Sequence, residues 1–255
     1  MKIRKIHDWD VADYHGAVRI QESLRPRLIL GGEIEEVGTV AGADISYARG
    51  DDFFYAAVVL LRLPDFATIE ESFASGRVSF PYVPGLLSFR EGPILLKAFE
   101  GLQNVPDLVL IDGQGIAHPR GLGLAAHMGL FLDVPTVGCA KTRLVGTHGQ
   151  AGPNVGDWTG LFLGGEVVGA VLRTKRNVNP IFVSPGHRVS LEGAVSAVVQ
   201  CLAGYRIPEP VRRAHLAVAP AAPGVTSAAM ASGILFALAA GLMWGLVFIG
   251  PLLLP

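Results

Sequence analysis

Cysteine is scarce in this chain of 255 residues, which has only Cys139 and Cys201, both inside apolar segments. Neither stands in a CxxC pair or at zinc-ligand spacing from a histidine, so no disulfide framework or structural zinc is expected, only buried reduced thiols. An excess of basic charge is also missing. Lys and Arg number 21 against 22 Asp and Glu, a formal net charge of −1, so no global positive field is available to hold a nucleic acid. Any such contact has to come from a local patch, and Arg173, Lys175 and Arg176, with Arg206, Arg212 and Arg213, are the candidates. The basic residues Lys2, Arg4 and Lys5 have no apolar run behind them, so no secretory signal is expected. There are no internal repeats.

Charge itself is absent beyond Arg213, where His215 is the only titratable side chain left. Met230 to Leu254 is a run of 25 uncharged residues, and ~20 suffice to cross the hydrocarbon core of a bilayer. Such length and uniformity favour a transmembrane helix over a buried core helix. The expected organisation is therefore a body over 1–216, a Pro- and Ala-rich linker over 217–229, and a hydrophobic segment over 230–255 that makes a membrane a partner of the chain. The tail also accounts for the mean hydropathy of +0.43. With Arg206, Arg212 and Arg213 upstream and no basic residue downstream, the body is expected on the cytoplasmic side.

The body itself is half-hydrophobic and long enough to bury a sizeable core. Helical spacing from Val11 to about Leu28 predicts an N-terminal helix. Thr39 to Tyr47, Phe54 to Leu63 and Ile69 to Phe80 read as three strands joined by short turns, an antiparallel meander. Leu86 to Gly101 reads as a helix, Leu108 to Ile111 as a strand buried on both faces, Leu122 to Leu132 as a helix and Pro135 to Cys139 as another buried strand. A hairpin follows around Gly164-Gly165, from Trp158 to Leu163 and Glu166 to Thr174, then a short strand from Ile181 to Val183 and a helix from Ser190, its N-cap, to Leu202. That order predicts an α/β class with a mixed, partly parallel sheet.

Two of the acids end apolar strands that this order makes neighbours: Asp44 in the first strand and Asp112 after Leu108 to Ile111. Glu91 stands near a helix start. An isolated Asp in such a place is usually a turn or cap residue. Charges converging at one sheet edge are different, because they repel unless a cation neutralises them. Magnesium takes hard oxygen ligands and is typically held by a few carboxylates and substrate phosphate, which suits phosphodiester hydrolysis. Lys141, just past the strand ending at Cys139, would add a point charge to the same pocket.

Five motifs then follow one another: Gly42-Ala-Asp-Ile-Ser-Tyr47, Pro81-Tyr-Val-Pro-Gly-Leu-Leu-Ser-Phe-Arg-Glu91, Asp112-Gly-Gln-Gly-Ile-Ala-His-Pro-Arg120, Gly138-Cys-Ala-Lys-Thr-Arg143 and Ser184-Pro-Gly-His-Arg188. Together, over about 11–216, they closely resemble the endonuclease V family. The resemblance implies a ribonuclease H-like mixed sheet flanked by helices, a magnesium cofactor with manganese as a substitute, and a monomer that acts in DNA repair. The implied reaction is hydrolysis of the second phosphodiester bond 3′ to deoxyinosine, with inosine in RNA as the alternative substrate.

The same resemblance implies that Asp44, Glu91 and Asp112 are the catalytic metal-site acids and that Lys141 and His215 complete the active site. Pro81, Tyr82, Val83 and Pro84 match the strand-separating wedge, and Gly85, Leu87, Gly113, Gly115, Gly123 and Leu124 the pocket for the extruded base. His118 is given a supporting role. Read without the resemblance, Tyr82 is an ordinary tyrosine in a stiff turn and His215 a surface histidine. Two other readings compete: another ribonuclease H-like nuclease, and a membrane-tethered protein that only binds nucleic acid. Residues 230–254 also resemble the first helix of drug/metabolite-type permeases, but one span cannot build an alternating-access site, so transport is not expected.

Overall fold

The computed structural model describes residues 1–218 apart from 12, 33, 35 and 48–50. Helix α1 (Tyr14–Leu24) leads into strands β1 (Thr39–Ser46), β2 (Phe53–Arg62) and β3 (Thr68–Arg77). Helix α2 (Leu87–Glu100), strand β4 (Leu108–Ile111), helix α3 (Leu124–Leu132) and strand β5 (Thr136–Ala140) follow. The chain continues through β6 (Thr147–His148), β7 (Trp158–Leu163), β8 (Glu166–Leu172) and β9 (Ile181–His187) to helices α4 (Leu191–Gln200) and α5 (Glu209–Val218).

All nine of these strands form one sheet in the order β3-β2-β1-β4-β5-β9-β8-β7-β6. β1, β4 and β5 run parallel in its centre and the flanking pairs are antiparallel. This is the mixed sheet expected from the alternation of strands and helices. β4 explains why it sits centrally: all four of its side chains are buried, so it presents apolar groups to both faces and has no side left for water. Leu108 and Leu110 join Val40 and residues of α4 and α5 on one face. Val109 and Ile111 join Ala41, Ala43 and residues of α2 and α3 on the other. Burial of each such Leu or Ile contributes about 1.5–3 kcal/mol relative to exposure.

Several boundaries differ from expectation for local reasons. α1 is shorter than Val11 to Leu28, because the Asp13 carboxylate caps it by accepting from the Gly16 amide at 2.7 Å. At its other end Pro26 lies in a 3₁₀ turn over Arg25–Arg27. β3 stops at Arg77 rather than Phe80. β9 runs past Val183 to His187, with a register shift that pairs Val137 with Pro185 and Thr136 with His187. The bulge absorbs Gly186, so a Pro-Gly pair that reads as a stop lies inside a strand.

The expected linker start is also corrected, because Ala217 and the fully buried Val218 belong to α5. The rest of the linker and the hydrophobic segment 230–255 lie outside the described residues. Among the described residues no helix is long and apolar enough to cross a membrane.

Candidate active site

The acids come together through strand register. Ala43 of β1 pairs with Ile111 of β4, so the next residue on each parallel strand, Asp44 and Asp112, lies at the same edge of the sheet. Lys141 follows β5, the strand on the other side of β4, and its ammonium pairs with Asp112. α5 rests directly on β1: a Cβ on Gly42 would collide with the Pro210 carbonyl. That close approach brings His215 to Asp44, and Nδ1 donates to Oδ2 at 2.7 Å. The other Asp44 oxygen accepts from the Ile45 amide at 2.8 Å. Glu91 enters from α2 and is buried.

The electrostatics follow from burial and crowding. Burial, then the charge of Asp112, raises the Asp44 carboxyl above its ordinary range. Burial, then Asp44 and Asp112, pushes Glu91 up to about 8. Among the described residues no three His, Cys, Asp or Glu side chains form a ready-made metal cage. The donors nonetheless suit a hard divalent cation, since they are carboxylates, and burial together with the neighbouring acids disfavours the ionised forms of Asp44 and Glu91 unless a cation neutralises them.

Beside the acids is a cavity of about 350 Å³. Tyr82, Val83, Pro84, Gly85 and Leu87 form one wall, while Gly113, Gly123 and Leu124 line another, with Asp112 and Lys141 at the junction with the acid cluster. The Tyr82 ring is 66% exposed and so is not fixed by core packing. Gly85 has φ +79°, a left-handed turn that a side chain would strain. Its neighbour Leu86 closes the turn by donating to the Val83 carbonyl at 2.9 Å.

Gly115 does not line this cavity. Its amide donates to Ser184 Oγ at 2.7 Å, and a Cβ there would strike the Pro185 carbonyl, so it serves the approach of the loop to β9. His118 does line it, with Nε2 donating to the Gly85 carbonyl at 3.0 Å. Burial, followed by the charge of Arg120, lowers its pKa to about 4, which keeps the ring neutral near pH 7.

Most of the basic residues proposed as phosphate patches have internal partners. Arg206 donates to the Lys141, Asn179 and Pro180 carbonyls, and Arg212 and Arg213 both bond Glu209. Arg173 donates to Gly152 and Arg176 to Asn154. Both cysteines are free and buried, and burial pushes the Cys201 thiol up to about 12.

A family model described as endonuclease V matches residues 22–216. The chain belongs to the endonuclease V family. It is a nuclease on that ground, and its relatives are similar along most of their length. An endonuclease V of Dehalococcoides mccartyi is 49% identical over 219 residues, covering 86% of this chain and 98% of that one. The crystal structure of endonuclease V from Bacillus subtilis superposes with a TM-score of 0.82 at 33% identity, covering 86% of this chain and 95% of that one. A Ciona intestinalis endonuclease V, in complex with a DNA containing an inosine followed by a ribo-adenosine, has a TM-score of 0.68 at 26% identity, covering 79% and 94%.

Set in this endonuclease V fold, the cavity is also lined by residues to which the sequence assigned no role. Ser88 of α2, Thr142 and Arg143 lie inside the quoted motifs, whereas Gln21 of α1 and Leu144 carry no sequence signal of their own. Gln21 sits in an amphipathic helix where nothing distinguishes it from a surface glutamine, yet it is fully buried. Only its bonding to residues far along the chain gives it away.

Proposed function

We propose that this chain is a metal-dependent deoxyinosine endonuclease that hydrolyses the second phosphodiester bond 3′ to the lesion, acting as a monomer in the cytoplasm. The observation that carries the reading is the junction of two features: the cavity behind Tyr82 shares Asp112 and Lys141 with the acid cluster. A base extruded into that cavity leaves its strand running past the carboxylates. The Ciona relative's complex with inosine-containing DNA supports the same substrate here. The ribo-adenosine in that complex favours inosine in RNA as the second reading.

Asp44, Glu91 and Asp112 would hold the ion, for which magnesium is the expected species. Bound there, it would supply charge neutralisation at the scissile phosphate and lower the pKa of an attacking water. The chain's own groups do the rest. His215 holds Asp44 in one orientation through the 2.7 Å hydrogen bond. Lys141 carries a positive charge beside Asp112, where it can attract a phosphate oxygen. Tyr82 presents an exposed ring to stack into the gap left by an extruded base. Gly113 and Gly123, without side chains, let backbone amides and carbonyls approach the base edge.

The test is nicking of a duplex bearing one deoxyinosine against the same duplex with adenine. The wild-type chain with magnesium should cut only the former, and Asp112→Asn should cut neither. Equal cutting of both duplexes would overturn the substrate assignment.

A further inference from the structure

Three side chains from two distant parts of the chain converge on one carbonyl, that of Gly85. Arg120 Nη2 donates to it at 2.6 Å, His118 Nε2 at 3.0 Å and Gln21 Nε2 at 3.1 Å. The donors also bind one another. Arg120 Nε donates to Gln21 Oε1 at 2.5 Å, the Arg120 amide donates to His118 Nδ1 at 3.2 Å, and Gln21 Nε2 donates also to the Leu122 carbonyl at 3.1 Å. Gly85 is the left-handed residue that ends the Pro81–Pro84 loop and precedes α2. Its carbonyl therefore fixes how the loop carrying Tyr82 leaves the body of the protein.

We infer that Gln21 and Arg120 are positioning residues for the lesion pocket, acting through the Gly85 carbonyl to hold the Tyr82 loop and so setting affinity for the extruded base. This rests on the proposed function for the identity of the ligand, but not for the clamp. Gln21 is 1% exposed and its carboxamide is satisfied at both ends, so its orientation is fixed. Arg120 does not line the cavity, which means it reaches the pocket only through Gly85, Gln21 and His118. The neutral state of His118 fits the same arrangement, since Nδ1 must accept while Nε2 donates. A carbonyl held by a guanidinium, an imidazole and a carboxamide is far harder to rotate than one held by a single neutral donor. A preorganised loop spares binding the cost of ordering it.

Arg120→Ala removes the charged donor from a half-buried site without opening the core, and Arg120→Lys keeps the charge while losing the fork. Gln21→Glu keeps the acceptor for Arg120 but removes the donors to Gly85 and Leu122. Three measurements decide. In the free protein, hydrogen exchange across residues 81–87 should be faster in Arg120→Ala than in wild type, with α3 unchanged. With magnesium withheld, binding to the inosine duplex should weaken roughly tenfold to a hundredfold in Arg120→Ala, with Arg120→Lys intermediate. With magnesium added and enzyme saturating, the single-turnover cleavage rate should stay within about twofold of wild type.

Unchanged exchange and unchanged binding would overturn the inference. So would intact binding with a lost cleavage rate, which would move Arg120 into the chemistry. If the wild-type chain does not discriminate inosine from adenine, the proposed function fails, and the exchange measurement still decides the clamp.

Discussion

His215 Nδ1 donates to the Asp44 carboxylate at 2.7 Å, joining residues 171 positions apart and tying α5 to the central strand β1. His215 thereby orients a carboxylate that burial and Asp112 already make reluctant to ionise. His215→Ala should lower metal-dependent nicking roughly tenfold to a hundredfold, the usual cost of losing a partner that orients a metal ligand. The melting temperature should change little, because the side chain is 57% exposed. Full activity in His215→Ala would reduce the contact to a surface pair. A chain ending after Val218 keeps all of α5 and should nick at the rate of the full chain.

Asp44→Asn and Asp112→Asn should each abolish magnesium-dependent nicking, and Glu91→Gln should do the same, while circular dichroism remains that of the wild type. On the proposed function, each would remove a charged oxygen ligand while leaving the shape of the side chain. Titration calorimetry with magnesium provides the independent readout. A variant with near wild-type turnover at saturating magnesium would take that residue out of the metal site.

The pH dependence has a definite sign. In the folded chain without metal, Glu91 keeps its proton up to about 8, against 4.5 for an ordinary glutamate. Between those values the folded state binds more protons than the unfolded state, so stability falls as pH rises through the window. Asp44 is shifted in the same direction. Thermal melting in chelator should therefore drop between about pH 5 and about pH 8, and Glu91→Gln, which cannot ionise, should flatten the slope. The same slope in wild type and Glu91→Gln would show that Glu91 is not the group responsible.

Tyr82→Ala should leave stability intact, since the ring is mostly exposed. Its effect should be on binding: one lost base–aromatic stack costs ~1–3 kcal/mol, about tenfold to over a hundredfold in affinity for an inosine duplex. Fluorescence anisotropy with labelled duplex measures it. Equal affinities for wild type and variant would make Tyr82 a turn residue without a wedge role.

Much of this architecture was legible because its signals are local. Leu108 to Ile111 announces a central strand by being apolar on both faces, and Gly164-Gly165, with φ of +61° and +90°, announces a hairpin turn. Ser190 caps α4 as its position suggests, accepting from the Gly193 amide at 3.0 Å. The meeting of Asp44 with Asp112 was legible from strand order alone. α5 was not, because Pro208 precedes it, Pro210 lies in its first turn and an apolar tail follows, so its short periodicity is lost between them. The Gln21–Arg120 clamp left no periodic trace either: the two residues lie 99 positions apart, and hydrogen bonds across that distance depend on the finished fold.

The proposed function requires that one site both receive the deaminated base and cut the strand beside it. Its most direct test is to map the cut on a duplex with a single deoxyinosine, labelled at the 5′ end of the lesion strand, with magnesium and with the chain in excess. One product is expected, ended at the second phosphodiester bond 3′ to the lesion, with none without magnesium and none from the adenine duplex. Cuts scattered along the strand, or equal cutting of adenine and inosine duplexes, would contradict it.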